Sequence, residues 1–489
     1  MCLAPYTIPL KYSLEFGLLI QESSYGSFEQ VKCRDNTMTD TKIIVLDDDP
    51  TGSQTVHSCL LLTRWDVDTL QQGLRDASPL FFVLTNTRGM DAQSAATITR
   101  EVCVNLKKAL LELKSTGHVI NPIVVSRSDS TLRGHYPVET DIIAEELGPF
   151  DAHFLVPAFF EGGRFTKDSI HYLLVDGKPV PVHETEFAKD SVFGYTHSYL
   201  PDYVEEKTYG KIMAEDVLRF TLYDVRGDSL ARLMVLSDNK CCVVDGETQD
   251  DLDHFCNQLM LAASKGKRFL FRSGASLLTA LAKLPDQPVA PAAMREYVRN
   301  GQAGAVIVGS HVRKTTEQLH ELLKQDNTVP IEINVEHIDT DSDELLKITV
   351  DAVHEAHKQG NTAVIFTSRI EKIFPDHGTR LQFGIRVSKF LMDVVRNLPK
   401  EIGFLISKGG ITSNDVLSDG LSLRTSRVVG QILPGCSVVR CPDDHPYFAN
   451  LPVVIFPGNV GDKYSLATAY ARLTVEQNNK HANKQSILA

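Results

Sequence analysis

A chain of 489 residues is too long for one hydrophobic core and predicts two or three domains. Its composition, 43% apolar, 23% charged and 8% aromatic, is that of an ordinary globular protein. The formal charge of -12 argues against a general nucleic-acid or acidic-membrane binder, which needs a basic face, but a local arginine cluster still allows a small anionic ligand.

Residues 1–41 read as a poorly ordered extension, with Met38 as an alternative start. Their apolar patch, 14–20, is interrupted by Glu15 and lacks a basic leader or a small-residue cleavage site. The nine cysteines are odd in number and show neither a CxxC pair nor a His/Cys ligand spacing. A reducing, cytoplasmic compartment is therefore expected, without a disulfide framework or a zinc site. No apolar run approaches the roughly eighteen residues that span a bilayer.

From residue 42 onward, apolar runs of strand length alternate with amphipathic stretches of helical length, the pattern of βαβ units. Strands are expected at 43–46, 80–84, 123–126, 152–156, 241–244 and 269–272. The stretch 169–207 breaks the rhythm with glycines, prolines, acids and tyrosines and is expected to form an excursion or lid. The segment PDQPVAP at 285–291 opens a linker, 285–300, and the alternation then restarts with strands at 305–308, 330–335, 363–366, 403–406, 437–440 and 453–456. The predicted fold is α/β: a domain over 42–284, a second over 301–478 and a tail at 479–489, each domain built on a mainly parallel sheet flanked by helices, with the active site in the cleft between them.

The first strand, 43–46, delivers Asp47, Asp48 and Asp49 to a turn made by Pro50, Thr51 and Gly52. Three acids released together repel one another and call for cations or hydroxyl donors opposite. Three later strand ends supply such groups. Thr85 to Gly89 includes Arg88, SRSDSTLRG at 126–134 includes Arg127 and Arg133, and PAFFEGGRFT at 157–166 includes Arg164. Guanidinium forks suit a carboxylate, and Ser, Thr and Asp suit sugar hydroxyls. In the second half, glycine with small hydroxyl residues recurs at three strand-to-helix junctions: Gly309 to His311, Ser407 to Ser413, and Gly458 to Gly461. Such junctions let backbone N–H groups approach phosphate oxygens. No GxxxxGK[ST] or GxGxxG occurs, so neither a Walker-type nucleotidase nor a Rossmann dehydrogenase is indicated.

In these motifs the chain resembles the four-carbon acid sugar kinase family. The family's DDxTG is met by Asp48 to Gly52, its KVDSTLRG by Arg127 to Gly134 with Arg for Lys and Ser for Val, and its GSxS, GGxT and SGNFG turns by Gly309–Ser310, Gly409–Thr412 and Gly458–Gly461. Val312, Ile411 and Pro457 depart from the pattern, as expected of a divergent subgroup. The resemblance implies ATP-dependent phosphorylation of a tetronate or 3-oxo-tetronate hydroxyl, with Mg²⁺ expected. It makes Asp48 or Asp49 the general base. It places the substrate among Thr51, Gly52, Arg88, Arg127, Ser128, Asp129, Ser130, Arg133, Gly134 and Arg164, with Arg127 and Arg133 on its carboxylate. ATP is expected at Ser310, Gly409, Gly410, Ile411, Thr412 and Gly458. The expected partners are these small molecules, neither nucleic acid nor membrane, and a homodimer is allowed. The alternative is an inactive sugar-acid and nucleotide sensor on the same frame.

Overall fold

The computed structural model describes residues 40–310, 312–369, 374, 377–458 and 460–474. His311, Asn459, the tail and all but the last two residues of the expected extension lie outside them. In chain order the strands are β1 (Asp40–Asp47), β2 (Cys59–Leu62), β3 (Leu80–Leu84), β4 (Ile120–Arg127), β5 (Ala152–Val156), β6 (Arg164–Lys167), β7 (Ile170–Val175), β8 (Lys178–Pro181) and β9 (Leu218–Phe220). They continue with β10 (Lys240–Val244), β11 (Phe269–Ser273), β12 (Ala305–Val308), β13 (Thr328–Ile333), β14 (Thr362–Thr367), β15 (Leu405–Lys408), β16 (Thr425–Leu433), β17 (Cys436–Arg440) and β18 (Pro452–Phe456).

Side chains alternate across each strand, so β1 feeds two apolar layers at once. Ile43 and Val45 pack on one face, Ile44 and Leu46 on the other. Strands buried on both faces carry uninterrupted apolar runs, as LFFVL does in β3, and helices cover them.

The two sheets expected from the sequence are one. Among the described residues fifteen strands run in the order β13-β14-β12-β15-β18-β17-β16-β2-β3-β1-β4-β11-β5-β10-β9, while β6, β7 and β8 form a small sheet of their own. Every neighbouring pair in the large sheet is parallel except β18–β17, β17–β16 and β16–β2. The last of these joins the halves, pairing Thr425 with Leu62 and Val428 with Cys59. The ladder extends through Ser58 N–H to Val428 O at 2.6 Å and Thr63 N–H to Arg424 O at 3.0 Å. Arg427 adds a two-pronged pair with Asp76 at 2.9 and 2.7 Å. By contacts Thr39–Ala489 forms one compact unit.

The proline-rich stretch after residue 284 is docked. Met294 is fully buried in the apolar layer of the second half, and Gln287 accepts from Gln431 N–H at 2.9 Å. The stretch expected as a lid is packed too: Tyr195, Leu200 and Tyr203 share a buried cluster with Leu132 and Tyr136. No helix among the described residues is long and apolar enough to cross a membrane.

A sheet shared by both halves couples their unfolding. Calorimetry of the wild type should show one cooperative transition, and two well-separated transitions with independent denaturant sensitivity would contradict the shared ladder.

Candidate active site

The acidic turn begins inside the sheet. Asp47 ends β1 in register with Arg127 of β4, and Arg127 is in register with Ser273 of β11. The sequence pattern ends this strand at Ser126 and puts Arg127 in the following loop; the strand continues through it. Alternation therefore turns its side chain to the core face shared with Ile123 and Val125. Arg127 is 3% exposed, with Nη1 3.5 Å from Asp47 Oδ1. Burial pushes the Asp47 carboxyl up to about 8 despite Arg127, with Asp48 and Asp49 adding to the rise. The group is thus a neutral acid at neutral pH. Gly52 closes the turn directly over it, and a Cβ there would collide with the carboxyl oxygens.

Asp48 is committed on both oxygens. Arg88 reaches Oδ1 through Nη2 and Oδ2 through Nε at 3.1 Å, and Ser128 Oγ donates to Oδ2 at 2.7 Å. Asp49 is bound on one side only. Its Oδ1 accepts from Thr51 N–H at 2.8 Å and Thr51 Oγ at 2.5 Å, while Oδ2 lies 3.4 Å from Arg88 Nη1. Burial raises the Asp49 carboxyl, but Arg88 and the two Thr51 hydrogen bonds outweigh it and hold it below the ordinary carboxylate range. The same Oδ2 faces the second half: a Cβ placed on Gly410 would lie 3.4 Å from it.

The loop 128–134 hangs from β4, the immediate neighbour of β1. Asp129 accepts from Thr131 Oγ and from Arg133 Nε at 2.7 Å, and Arg133 also stacks on Phe187 at 5.0 Å and approaches Asp190 at 3.7 Å. Burial raises the Asp129 carboxyl, yet Arg88 and Arg133 bring it well below the usual range. Four successive carbonyls of the loop are pinned from behind. Ser130 O accepts from His171 Nε2 at 2.7 Å, Thr131 O from Tyr195 at 2.7 Å, Leu132 O from Tyr203 at 2.8 Å and Arg133 O from Arg272 Nη2 at 3.0 Å. Burial lowers His171 to about 4, so it is neutral; Nε2 carries the proton, and Nδ1 accepts from Thr166 Oγ at 2.9 Å. Gly134, at φ 120°, has no room for a Cβ, which would strike Ser128 Oγ. Arg164 donates to Gly162 O at 2.7 Å and lies over Phe159.

His171, Tyr195, Tyr203 and Arg272 were not anticipated, nor was Glu139. Glu139 accepts from Thr87 Oγ at 2.5 Å, and burial, then the Asp48 charge, pushes it up to about 7. Arg272 carried a readable signal: a charge ending the buried run FLFRS needs a partner. The tyrosines carried none, since their targets lie more than sixty residues away.

In the second half the carboxyl ends of β12, β14, β15 and β18 surround a cleft of about 380 Å³. Ser310, Gly409, Gly410, Ile411, Thr412 and Gly458 all border it. Its opposite wall is apolar, with Phe383, Val387 and Leu391 from the helix His377–Arg396. The junctions pack on one another: a Cβ on Gly309 would strike Thr412 Oγ, and Gly409, at φ 119°, sits beside Ser310. Ile411 is 69% exposed.

One continuous α/β sheet thus carries a hydroxyl, carboxylate and guanidinium cluster at one set of strand ends and a glycine-lined cleft at another. Residues 43–281 match the sugar-binding N-terminal domain and residues 305–466 the nucleotide-binding C-terminal domain. The chain belongs to the four-carbon acid sugar kinase family. A D-erythronate kinase of Heliobacterium modesticaldum is 26% identical over 220 residues, covering 44% of this chain and 47% of the relative. The chain thus spans about half the length of that curated relative. Two solved structures share the fold. One, from Salmonella typhimurium LT2 and provisionally assigned as a tRNA synthase, is 18% identical with a TM-score of 0.64, over 89% of this chain and all of the other. The second, a Haemophilus influenzae protein of a domain family of unknown function, is 16% identical with a TM-score of 0.60, over 88% of this chain and all of the other.

Two predictions follow from the turn. Gly52→Ala should lower the melting temperature, by overpacking worth about 1–3 kcal/mol, and adding Asp47→Ala should recover part of the loss; strictly additive effects would separate the two residues. Between about 3.8 and about 8 the folded state holds a proton on Asp47 that the unfolded chain releases, so stability falls as pH rises. The melting temperature of the wild type should therefore drop more from pH 5 to pH 8 than that of Asp47→Asn. Equal drops would show that Asp47 is ionised in the folded protein.

Proposed function

We propose that the chain is an ATP-dependent kinase that transfers the γ-phosphoryl group to a hydroxyl of a four-carbon acid sugar, a tetronate or a 3-oxo-tetronate. The observation that carries the reading is the approach of Asp49 Oδ2, on the sugar-binding half, to Gly410, on the nucleotide-binding half. Phosphoryl transfer needs an acceptor hydroxyl held in line with the terminal phosphate, and the approach of an acid from one half to a glycine junction of the other supports such a meeting.

Arg133 uses Nε on Asp129 and Nη1 on Asp190, which leaves Nη2 for the substrate carboxylate, with Arg164 nearby. Ser128 and Asp129 receive the hydroxyls. Arg127, buried against Asp47, acts behind the turn and not on the substrate. Asp49 takes the proton of the attacking hydroxyl. Asp48 has both oxygens engaged and serves to fix Arg88. A low carboxylate pKa makes Asp49 a weak base, which suits a loose transition state in which the proton leaves late. Mg²⁺ would be carried on the triphosphate with phosphate and water oxygens as its ligands, where it would neutralise phosphate charge and leave Asp49 Oδ2 for the proton of the acceptor hydroxyl. The apolar wall formed by Phe383, Val387 and Leu391 suits a purine base. The buried, free thiols of the described cysteines support a cytoplasmic location.

ADP release measured across a panel of four-carbon acids tests the reading. Turnover should require ATP and one of these acids. Asp49→Asn should lower kcat by about a hundredfold or more, while KM for ATP changes little. Ligand-dependent stabilisation by acid and nucleotide without turnover would replace the kinase by a sensor, and full activity of Asp49→Asn would remove Asp49 as the base.

A further inference from the structure

Strand β15, LISK, ends in a lysine that faces inward. Alternation places Ile406 and Lys408 on the layer formed by Val308, Cys436 and Phe456, and Lys408 is 0% exposed. Its Nζ donates to Pro457 O at 2.6 Å and to Gly458 O at 3.1 Å, and stands 4.7 Å above the Phe456 ring. Among the described residues no carboxylate pairs with it. Carbonyl dipoles and a ring face stabilise an ammonium only in part, so a buried amine without a carboxylate partner stands directly below the turn that borders the cleft.

The two carbonyls also fix direction. In a trans peptide the C=O and the following N–H point opposite ways. With the Pro457 carbonyl drawn down to Lys408, the Gly458 N–H is turned away from the core. On that side Gly458 borders the cleft, and among the described residues, its chain neighbours aside, no atom lies within 4 Å of where its Cβ would be. The Gly409 N–H is tied to Phe456 O at 2.9 Å, so both glycine junctions are set by the same pair of strand ends.

We propose that Lys408 is a positioning residue for the polyphosphate of the bound nucleotide, holding the Pro457–Gly458 turn with its amide face to the cleft and supplying buried positive charge beneath the phosphates. This rests on the kinase reading only in taking the occupant of the cleft to be a nucleoside polyphosphate. An arriving polyanion then provides the counter-charge that the empty protein lacks. Burial lowers the Lys408 ammonium to about 7. The groups whose charge reaches it are the Cys436 thiol on β17, itself pushed up to about 12 and so neutral, and the Lys314 ammonium on the helix Arg313–Leu322, which adds repulsion. Its ladder neighbours Val308 and Phe456 carry no charge. Above pH 7 the free protein therefore holds Lys408 largely neutral, and nucleotide binding takes up a proton there.

The test is titration calorimetry of ADP with magnesium chloride at pH 8, above the range in which the nucleotide phosphate titrates, in buffers of different ionisation enthalpy. The wild type should take up a large fraction of one proton, and its affinity should fall from pH 7.5 to pH 9. Lys408→Met should bind ADP about tenfold or more weakly, take up no proton and show a flat affinity over that range. If the variant does not fold, the wild-type measurement decides by itself: proton-neutral, pH-independent binding overturns the proposal. Equal ADP affinity in both proteins overturns it while leaving the kinase reading intact. A wild type that binds no ADP overturns both.

Discussion

The backbone ladder between β2 and β16 sets the distance between the two chemistries of this protein. From β1, which carries the acidic turn, to β15, which carries Gly409 and Gly410, the sheet takes six steps from strand to strand. Laid flat at about 4.8 Å per step, they would stand roughly 29 Å apart. Asp49 and Gly410 each lie two residues beyond their strand and reach only about 7 Å each, yet a Cβ on Gly410 would lie 3.4 Å from Asp49 Oδ2. The sheet must therefore curl between them. Twist accumulates over each step, and the antiparallel pair β16–β17 adds two register shifts, one at Gly430, which has φ 143°. The bulged pair contributes to the bend that brings the glycine junctions near the acids. It also replaces a flexible tether with hydrogen bonds, so any opening of the site must come from bending of the sheet or from loops.

Four strands of this sheet carry an ionisable residue at or next to their carboxyl end: Asp47, Arg127, Arg272 and Lys408. Each is buried, and their desolvation is met in three ways. Asp47 keeps a proton, Arg127 leans on Asp47, and Arg272 and Lys408 hold main-chain carbonyls. None of the four is exposed to a ligand. The groups in the turns and loops beyond them, Asp49, Asp129 and Arg133, are partly exposed. Buried charge orients the loops and leaves the partly exposed charges facing outward, an arrangement that keeps polar groups rigid without burying them.

The periodicity located β1, β3, β5 and most strands of the second half, because runs such as LFFVL and AHFLV have no other stable environment. Motif loops gathered as expected for the same reason: β1 and β4 are parallel neighbours, so what leaves their carboxyl ends must meet. The joint was illegible. CLLL at 59–62 is too short to stand out, and β16 is broken by Gly430. The strand expected to end at Ser126 runs one residue further, and that step puts Arg127 in register with Asp47 and buries it beside that acid. The stretch 169–207 looked like a lid because tyrosines and acids among turn residues are equally at home on a surface. Only long-range contact shows that Tyr195 and Tyr203 point at the loop 128–134.

Those contacts explain why such a stretch exists. A loop rich in serine, aspartate and glycine has little of its own to hold a shape, and ordering it on ligand binding would consume affinity. Here Ser130, Thr131, Leu132 and Arg133 each give a carbonyl to a buried donor, so the backbone is fixed before any ligand arrives. With these four carbonyls turned inward, the spacing of the Ser128, Asp129 and Arg133 side chains is set by the donors behind. Because neutral His171 must donate through Nε2, its hydrogen bond from Thr166 is what chooses the tautomer, and the small sheet of β6 and β7 that holds both residues becomes part of what shapes the loop 128–134.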